Sequence, residues 1–269
     1  MKVCIVSKID SKEVIYLAQS VGWMLDSFGH EVVYDESIAS ELGYCGVSLK
    51  KLEADLVLVI GGDGSVLRAV RLLGHQIPVI GINSGFVGFL TDVEQDHIEE
   101  KLKNLALPFK IEERMRVSVE CNGRSLGCAL NEAVIVTSRP AKFLQFEVYI
   151  DGKLTGMFRA DGLILSTPTG STAYAMSAGG PIVDSAMEAV LVVPLAPYML
   201  SSRPYVINPD SVIEVKLSSV KPALLVIDGQ NQFEIGENAC ITIRKAAEPA
   251  RFVDVGRGFF DKVEQKLRQ

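Results

Sequence analysis

The sequence predicts an α/β first domain with a parallel, Rossmann-like sheet, followed by a β-rich, sandwich-like second domain. Two observations carry this. As far as about residue 105, apolar strand-like runs alternate with helical periodicity, the pattern of crossovers around a parallel sheet. Beyond it the apolar runs are short, closely spaced and separated by turn residues, the pattern of antiparallel sheets. A length of 269 residues suffices for one large core or two modest ones.

Residues 2–7 read as the first strand. Residues 11–28 carry helical periodicity that ends near Gly29, and Glu31–Tyr34 reads as the second strand. Asp55–Ile60 is an apolar run bounded by Gly61-Gly62, hence a buried strand; Ser65–Leu73 is a helix and Pro78–Ile82 the next strand. An acidic helix over Asp96–Leu105 precedes Pro108, which marks the domain border. The expected division is therefore 1–105 for the α/β domain and 106–256 for the β-rich domain. In the latter, strands are read at 117–120, 127–130, 133–136, 146–153, 162–165, 212–217, 223–227 and 239–244, with Asp151-Gly152 as a hairpin turn. A last helix over Phe259–Leu267 (about 257–269) is expected to pack back on the first domain.

Composition narrows the function classes. Net charge is −6 and basic runs are short, which excludes a general nucleic-acid binder but leaves room for a local anion site. No apolar run approaches the roughly 18 residues that span a bilayer. The longest, Ala189–Leu195, is cut by Pro194 and followed by Pro197. The apolar start, Met1–Ser7, is too short for a signal peptide. Five scattered cysteines fit a reducing compartment, so a cytoplasmic protein is expected. Cys121 and Cys128 lack zinc spacing, and three histidines make a histidine metal site unexpected.

Several motifs can carry chemistry. Gly61-Gly62-Asp63-Gly64 joins a strand to a helix; its glycines permit positive φ and close approach of a ligand. Asp63 sits at the strand tip, where open α/β sheets bind ligands, and can accept a proton from a hydroxyl nucleophile. The plainer reading is an aspartate capping a helix. Arg68 and Arg71 share a helix surface and can hold phosphates, or form a solvated face. There is no Walker A pattern, so phosphate chemistry would use backbone amides, arginines and a metal ion.

Ile82–Asp92 is a second glycine-spaced loop in which Asn83 suits a ligand-facing turn and Phe86 and Phe89 can stack on a base or pack in the core. Asn131-Glu132 offers acceptors for a ribose diol and a base amine, or forms an exposed turn. Asp161–Pro181 runs from a strand into Thr167-Pro-Thr-Gly170 and on to Ser171-Thr-Ala173, read as the first turn of a helix whose N–H groups suit phosphate or ribose oxygens. Asp228-Gly-Gln230 is a hairpin turn or presents another carboxylate to a hydroxyl.

Taken in order, Gly-Gly-Asp-Gly, the Asn83 loop, Asn131-Glu132, Thr169–Tyr174 with Ser177–Pro181, and Asp228-Gly-Gln230 resemble the NAD kinase family from about Val3 to Phe260. The first motif is shared more loosely with diacylglycerol and sphingosine kinases and with phosphofructokinases. The resemblance implies phosphorylation of the 2′-hydroxyl of the adenosine ribose of NAD, giving NADP, with Asp63 as general base. The implied donor is ATP or inorganic polyphosphate, with Mg²⁺ or another divalent cation expected to be carried mainly by donor phosphates. Gly62 and Gly64 would admit phosphates, with Arg68 on the same helix a further candidate for them. Phe89 would lie near the adenine, and Asn131 and Glu132 would bind adenine and ribose groups. Thr172, Ala173, Tyr174 and Ser177 would line the dinucleotide. Arg159 and Asp161 would lie near the nicotinamide end, and Asp228 would be a further ligand-facing acid. A homodimer or homotetramer is implied, in keeping with the apolar Ala189–Leu200 segment. Phe86-Val87 and Pro197-Tyr198 depart from the family pattern. The alternatives are a lipid kinase of the diacylglycerol or sphingosine type, disfavoured by Thr169–Tyr174, and a non-catalytic dinucleotide-binding regulator, disfavoured by Asp63.

Overall fold

A computed structural model describes residues 1–85, 88–139, 143–199 and 201–267, the side chain of Leu267 excepted. Phe86 and Val87 lie outside the described residues. The chain forms two compact units, Met1–Glu113 with Ala250–Gln269, and Arg114–Pro249.

The first unit opens with β1 (Lys2–Ser7), α1 (Lys12–Ser27), β2 (Glu31–Asp35), α2 (Glu36–Leu42) and β3 (Gly46–Val47). It continues with β4 (Leu56–Gly61), α3 (Asp63–Leu72), β5 (Val79–Asn83), α4 (Ile98–Lys103) and β6 (Ile111–Arg114). Helix α1 starts where the Ser11 hydroxyl accepts the Val14 N–H, and the chain leaves it through Gly29 at φ +83°. Its buried stripe is Val14, Ala18, Val21, Gly22 and Leu25. Gly22 is required by space, because a Cβ there would lie 1.9 Å from the Tyr34 hydroxyl. Strands β1, β4 and β5 are parallel and almost wholly buried, as their continuous apolar runs demand. From β1 the chain moves outward through β2 to β3, then returns to β4 on the other side of β1. The carboxyl ends of β1 and β4 flank that reversal, where open sheets place their ligand crevice. The acidic segment is shorter than its sequence predicts: a 3₁₀ turn at Gln95–His97, then α4.

The second unit contains β7 (Val117–Cys121), β8 (Arg124–Ala129), β9 (Glu132–Thr137), β10 (Leu144–Ile150) and β11 (Lys153–Ser166). After a 3₁₀ turn at Thr169–Thr172 come α5 (Tyr174–Ser177), β12 (Val190–Pro197), β13 (Tyr205–Ile207), β14 (Ile213–Leu217), β15 (Ala223–Ile227), β16 (Asn231–Ile235) and β17 (Cys240–Lys245). All the strands join one 11-stranded antiparallel sheet curled around a shared core, so the sandwich-like character comes from a single continuous sheet. Strand β11 makes the bend. Its first half pairs with β10, Ala160 facing Leu144, and its second half pairs with β9, Ser166 facing Glu132. Asp151 and Gly152 form the expected hairpin turn, both at positive φ. The apolar run at Ala189–Leu195 is β12, whose Val190–Val193 are fully buried between β11 and β13. Core packing therefore accounts for that run without a subunit contact. Tyr198 and Met199 beyond it are exposed.

The chain then returns to the first unit. β18 (Ala250–Val253) enters the seven-stranded sheet between β5 and β6, and α6 (Phe259–Leu267) belongs to the same unit. Among the described residues no helix is long and apolar enough to cross a membrane.

Phe146 is 1% exposed and lies across from Phe158 and Leu217 in the second unit's core. Phe146→Ala should cost about 3–5 kcal/mol in denaturant unfolding. Met157→Ala, at a side chain 69% exposed, should change stability by about 0.5 kcal/mol or less.

Candidate functional site

In the first unit the site grows from the end of β4. Gly61 closes the strand, Gly62 is the helix N-cap and Asp63 is the first residue of α3. The Asp63 side chain does not cap its own helix. Its Oδ2 accepts the Phe89 N–H at 2.8 Å and its Oδ1 accepts the Leu90 N–H at 2.9 Å. Gly88 makes this approach possible, since a Cβ there would stand 2.0 Å from Asp63 Oδ1. The carboxylate is thus fixed by the loop after β5, and keeps lone pairs beyond the two it has committed.

The glycines of the motif differ from expectation in one respect. Gly62 sits at φ −102° and neither Gly61 nor Gly64 has positive φ, so left-handed backbone is not why they are glycines. Gly61 is required by packing, with a Cβ 2.3 Å from Ser65 Oγ. At Gly62 and Gly64 a Cβ would meet nothing within 4 Å. Among the described residues, neither backbone strain nor packing demands glycine at those two positions.

Other candidates in this unit are engaged within the chain. Arg68 lies about 140° around α3 from Asp63 at the helical 100° per residue. Its guanidinium donates to Ser37 Oγ at 2.7 Å and stands 3.8 Å from the Asp35 carboxylate. The structure therefore ties Arg68 to the start of α2. Asn83 is buried, and its Oδ1 accepts the Gly85 N–H, shaping the turn itself. Phe89 is 9% exposed with the Lys266 ammonium 4.4 Å over its ring, so the ring is packed rather than open for stacking.

In the second unit the ends of β9, β11 and β15 bring Asn131 and Glu132 to Asp228, Glu132 to the Tyr174 backbone, and the Thr169–Thr172 turn against Asn131. Asp228 follows β15 at φ +49° and is 5% exposed. Its Oδ2 accepts the Leu130 N–H at 2.9 Å; its Oδ1 accepts those of Asn131 at 2.8 Å and Glu132 at 3.1 Å. The expected ligand-facing acid is thus occupied as a template for the Leu130–Glu132 backbone. Glu132 beside it is 6% exposed. Burial first, then the Asp228 charge, pushes its carboxyl up to about 8, opposed by a hydrogen bond from the Tyr174 backbone. At neutral pH it is an acid that can both donate and accept.

The hydroxyl-rich stretch after β11 also differs from expectation. It forms a 3₁₀ turn, a break at Ala173 and the four-residue α5, too short to present a helix N-terminus to an anion. Thr169 Oγ1 is buried without a hydrogen-bond partner among the described residues, and the neighbouring hydroxyls serve the chain. Thr167 donates to Leu130 O at 2.5 Å and accepts the Gly170 N–H, Ser171 exchanges hydrogen bonds with Val183, and Thr172 donates to Thr169 O. Gly170 is glycine because a Cβ would stand 2.2 Å from Asn131 O. Thr167 and Gly170, expected only to punctuate the strand, are what lock this turn onto Leu130 and Asn131. Tyr174 and Ser177 are exposed and Ala173 is half-buried.

Arg159 and Asp161 are not part of that cluster. They precede Ser166 on β11 by seven and five residues, a span of roughly 15–25 Å for an extended strand. Arg159 is exposed and stacks on Tyr198 at 4.8 Å and Phe143 at 5.5 Å.

Sequence models of the ATP-NAD kinase N-terminal domain and the ATP-NAD kinase C-terminal domain match residues 3–107 and 130–255. The chain belongs to the NAD kinase family. The NAD kinase of Methanocorpusculum labreanum is 69% identical over 100% of this chain and 99% of that protein. That of Methanoregula boonei is 54% identical, with both chains fully covered. Among solved structures, an NAD kinase from Archaeoglobus fulgidus in complex with ATP aligns with a TM-score of 0.84 at 31% identity, covering 100% of this chain and 99% of that one. A yeast NADH kinase complexed with NADH shares the fold, with a TM-score of 0.89 at 23% identity over 100% of this chain and 87% of that one. The N-terminal family match holds the Asp63 turn and the C-terminal match holds the Glu132–Asp228 cluster.

The Glu132 acid makes a pH prediction. Folded protein holds this proton up to about pH 8, against a usual value of 4.5, so the native state binds more protons between those limits. The stabilisation from this group is full below the lower limit and lost as pH rises through the upper one. Denaturant titrations from about pH 5 to 8.5 should show wild type losing stability relative to Glu132→Gln. Parallel curves would mean that Glu132 titrates normally.

Proposed function

We propose that this protein transfers the γ-phosphoryl group of ATP to the 2′-hydroxyl of the adenosine ribose of NAD, with the Asp63 carboxylate accepting the hydroxyl proton. The observation that carries the proposal is the Asp63 site: a carboxylate immobilised by two backbone N–H groups, next to two glycines whose Cβ positions are open among the described residues. Open space at Gly62 and Gly64 suits a phosphate chain lying against backbone N–H groups.

In this reaction the ribose 2′-oxygen forms a bond to the γ-phosphorus as the bond from that phosphorus to the β,γ-bridging oxygen breaks. ADP departs with that bond's electron pair. The hydroxyl proton passes to Asp63 and then to solvent, so NAD and ATP give NADP, ADP and a proton. A positioned carboxylate contributes ~10²–10⁴ to such a step, and alignment of nucleophile and phosphorus most of the rest. Inorganic polyphosphate would present the same terminal group; the likeness to the ATP complex of the Archaeoglobus enzyme favours ATP.

Asn131, Glu132, Thr172, Ala173, Tyr174 and Ser177 supply the NAD contacts in this reading. A neutral Glu132 can pair with both hydroxyls of a ribose diol without adding negative charge near a dinucleotide that already carries a pyrophosphate. Asp228 acts through the backbone it holds, and Arg159 and Asp161 would serve the nicotinamide end. Among the described residues no group of three or more His, Cys, Asp or Glu could hold a metal ion, so no residue here is assigned to one. A divalent cation bound with the donor would neutralise phosphate charge.

Asp63→Asn keeps the side chain's shape and removes its basicity. It should lower kcat for NADP formation by ~10²-fold or more while NAD binding, measured by calorimetry, stays within severalfold. Unchanged kcat would remove Asp63 from the chemistry, and lost NAD binding would make it a binding residue instead.

A further inference from the structure

The C-terminal helix α6 brings positive charge back to the loop that holds Asp63. Lys262 is 2% exposed, yet its ammonium is paired with the Asp92 carboxylate and directed at Phe89 O at 3.4 Å. Lys266 stands over the Phe89 ring, and Arg257, just before the helix, lies 3.3 Å from Glu94. Burying an ammonium is costly unless it is paired. Among the described side chains of α6 only Lys262 and Val263 are buried. Polar ties to residues 89–94 therefore help seat this helix.

One peptide unit connects the two ends. The Phe89 carbonyl and the Leu90 N–H belong to the same planar group. Lys262 holds the carbonyl end and Asp63 Oδ1 accepts from the N–H end. Fixing one end orients the other, and a carbonyl that accepts from an ammonium makes its own N–H a better donor. Phe89 also gives its N–H to Asp63 Oδ2, so both oxygens of the carboxylate depend on this stretch of backbone.

We propose that Lys262 is a positioning residue for phosphoryl transfer: held by Asp92, it orients the Phe89–Leu90 peptide, whose N–H groups set the Asp63 carboxylate. This rests on the reading of Asp63 as the reacting carboxylate. Lys262 touches no reacting atom and works through 89–92.

The test uses Lys262→Met and, because that variant strands a shielded Asp92 charge, the paired variant Lys262→Met/Asp92→Asn. Hydrogen exchange of the Phe89 and Leu90 amides is read beside steady-state kinetics. In the folded paired variant both amides should exchange ~10-fold or more faster. kcat should fall ~10-fold or more with KM for NAD within about twofold, the split expected of a misplaced catalytic group. Unchanged exchange or unchanged kcat in that variant would overturn the inference. Asp63→Asn, measured in parallel, separates the two ideas. Full activity there would overturn the reading of Asp63, whereas unchanged amides in the paired variant beside an inactive Asp63→Asn would overturn the role of Lys262 alone.

Discussion

Two hydrogen bonds, from the N–H groups of Phe89 and Leu90 to the Asp63 carboxylate, join the turn after β4 to the loop after β5. The candidate chemistry in the first unit depends on them. Without them Asp63 would be a mobile side chain at a helix start. With them it is a fixed acceptor at the carboxyl edge of a parallel sheet. The second unit repeats the device: Asp228 holds three consecutive backbone N–H groups and so shapes Leu130–Glu132. Hydrogen bonds to an ionised acceptor are about twice as strong as neutral ones, which suits them to fixing irregular backbone beside a site.

The glycines divide by physical cause. Gly88 and Gly170 are required by close approach, one to Asp63 Oδ1 and the other to Asn131 O. Gly61 is required by Ser65. Among the described residues Gly62 and Gly64 have no such neighbour and no positive φ. Gly85 and Gly236 share both properties, so what sets Gly62 and Gly64 apart is their place on either side of Asp63. They flank a carboxylate that the fold holds by two backbone N–H groups.

Much of the architecture was legible in the sequence because its causes are local. Ser11 and Gly29 bound α1, the unbroken apolar runs of β1, β4 and β5 announce strands buried on both faces, and Asp151-Gly152 announces a hairpin. What escaped has distant causes. β11 reaches back to Lys153 through the polar residues Arg159 and Asp161, so only its apolar half was read as strand. β18 is four residues long, and nothing nearby tells that it rejoins the first unit's sheet. For the site, residue identities were readable but their partners were not. Asp63 is satisfied by backbone 26 and 27 residues on, Asp228 by backbone 96 to 98 residues back, and Lys262 faces a carbonyl 173 residues away. Backbone N–H groups leave no mark in a sequence, so carboxylates that organise the chain read there as carboxylates free for a ligand.

Phosphoryl transfer to NAD is tested most directly by incubating the purified protein with NAD, ATP and Mg²⁺ and following the products by phosphorus NMR. A new phosphomonoester on the 2′-oxygen of the adenosine ribose should appear, with ADP formed in equal amount. ADP without NADP, or neither product, would contradict the assignment of this fold and its Asp63 site to NAD phosphorylation.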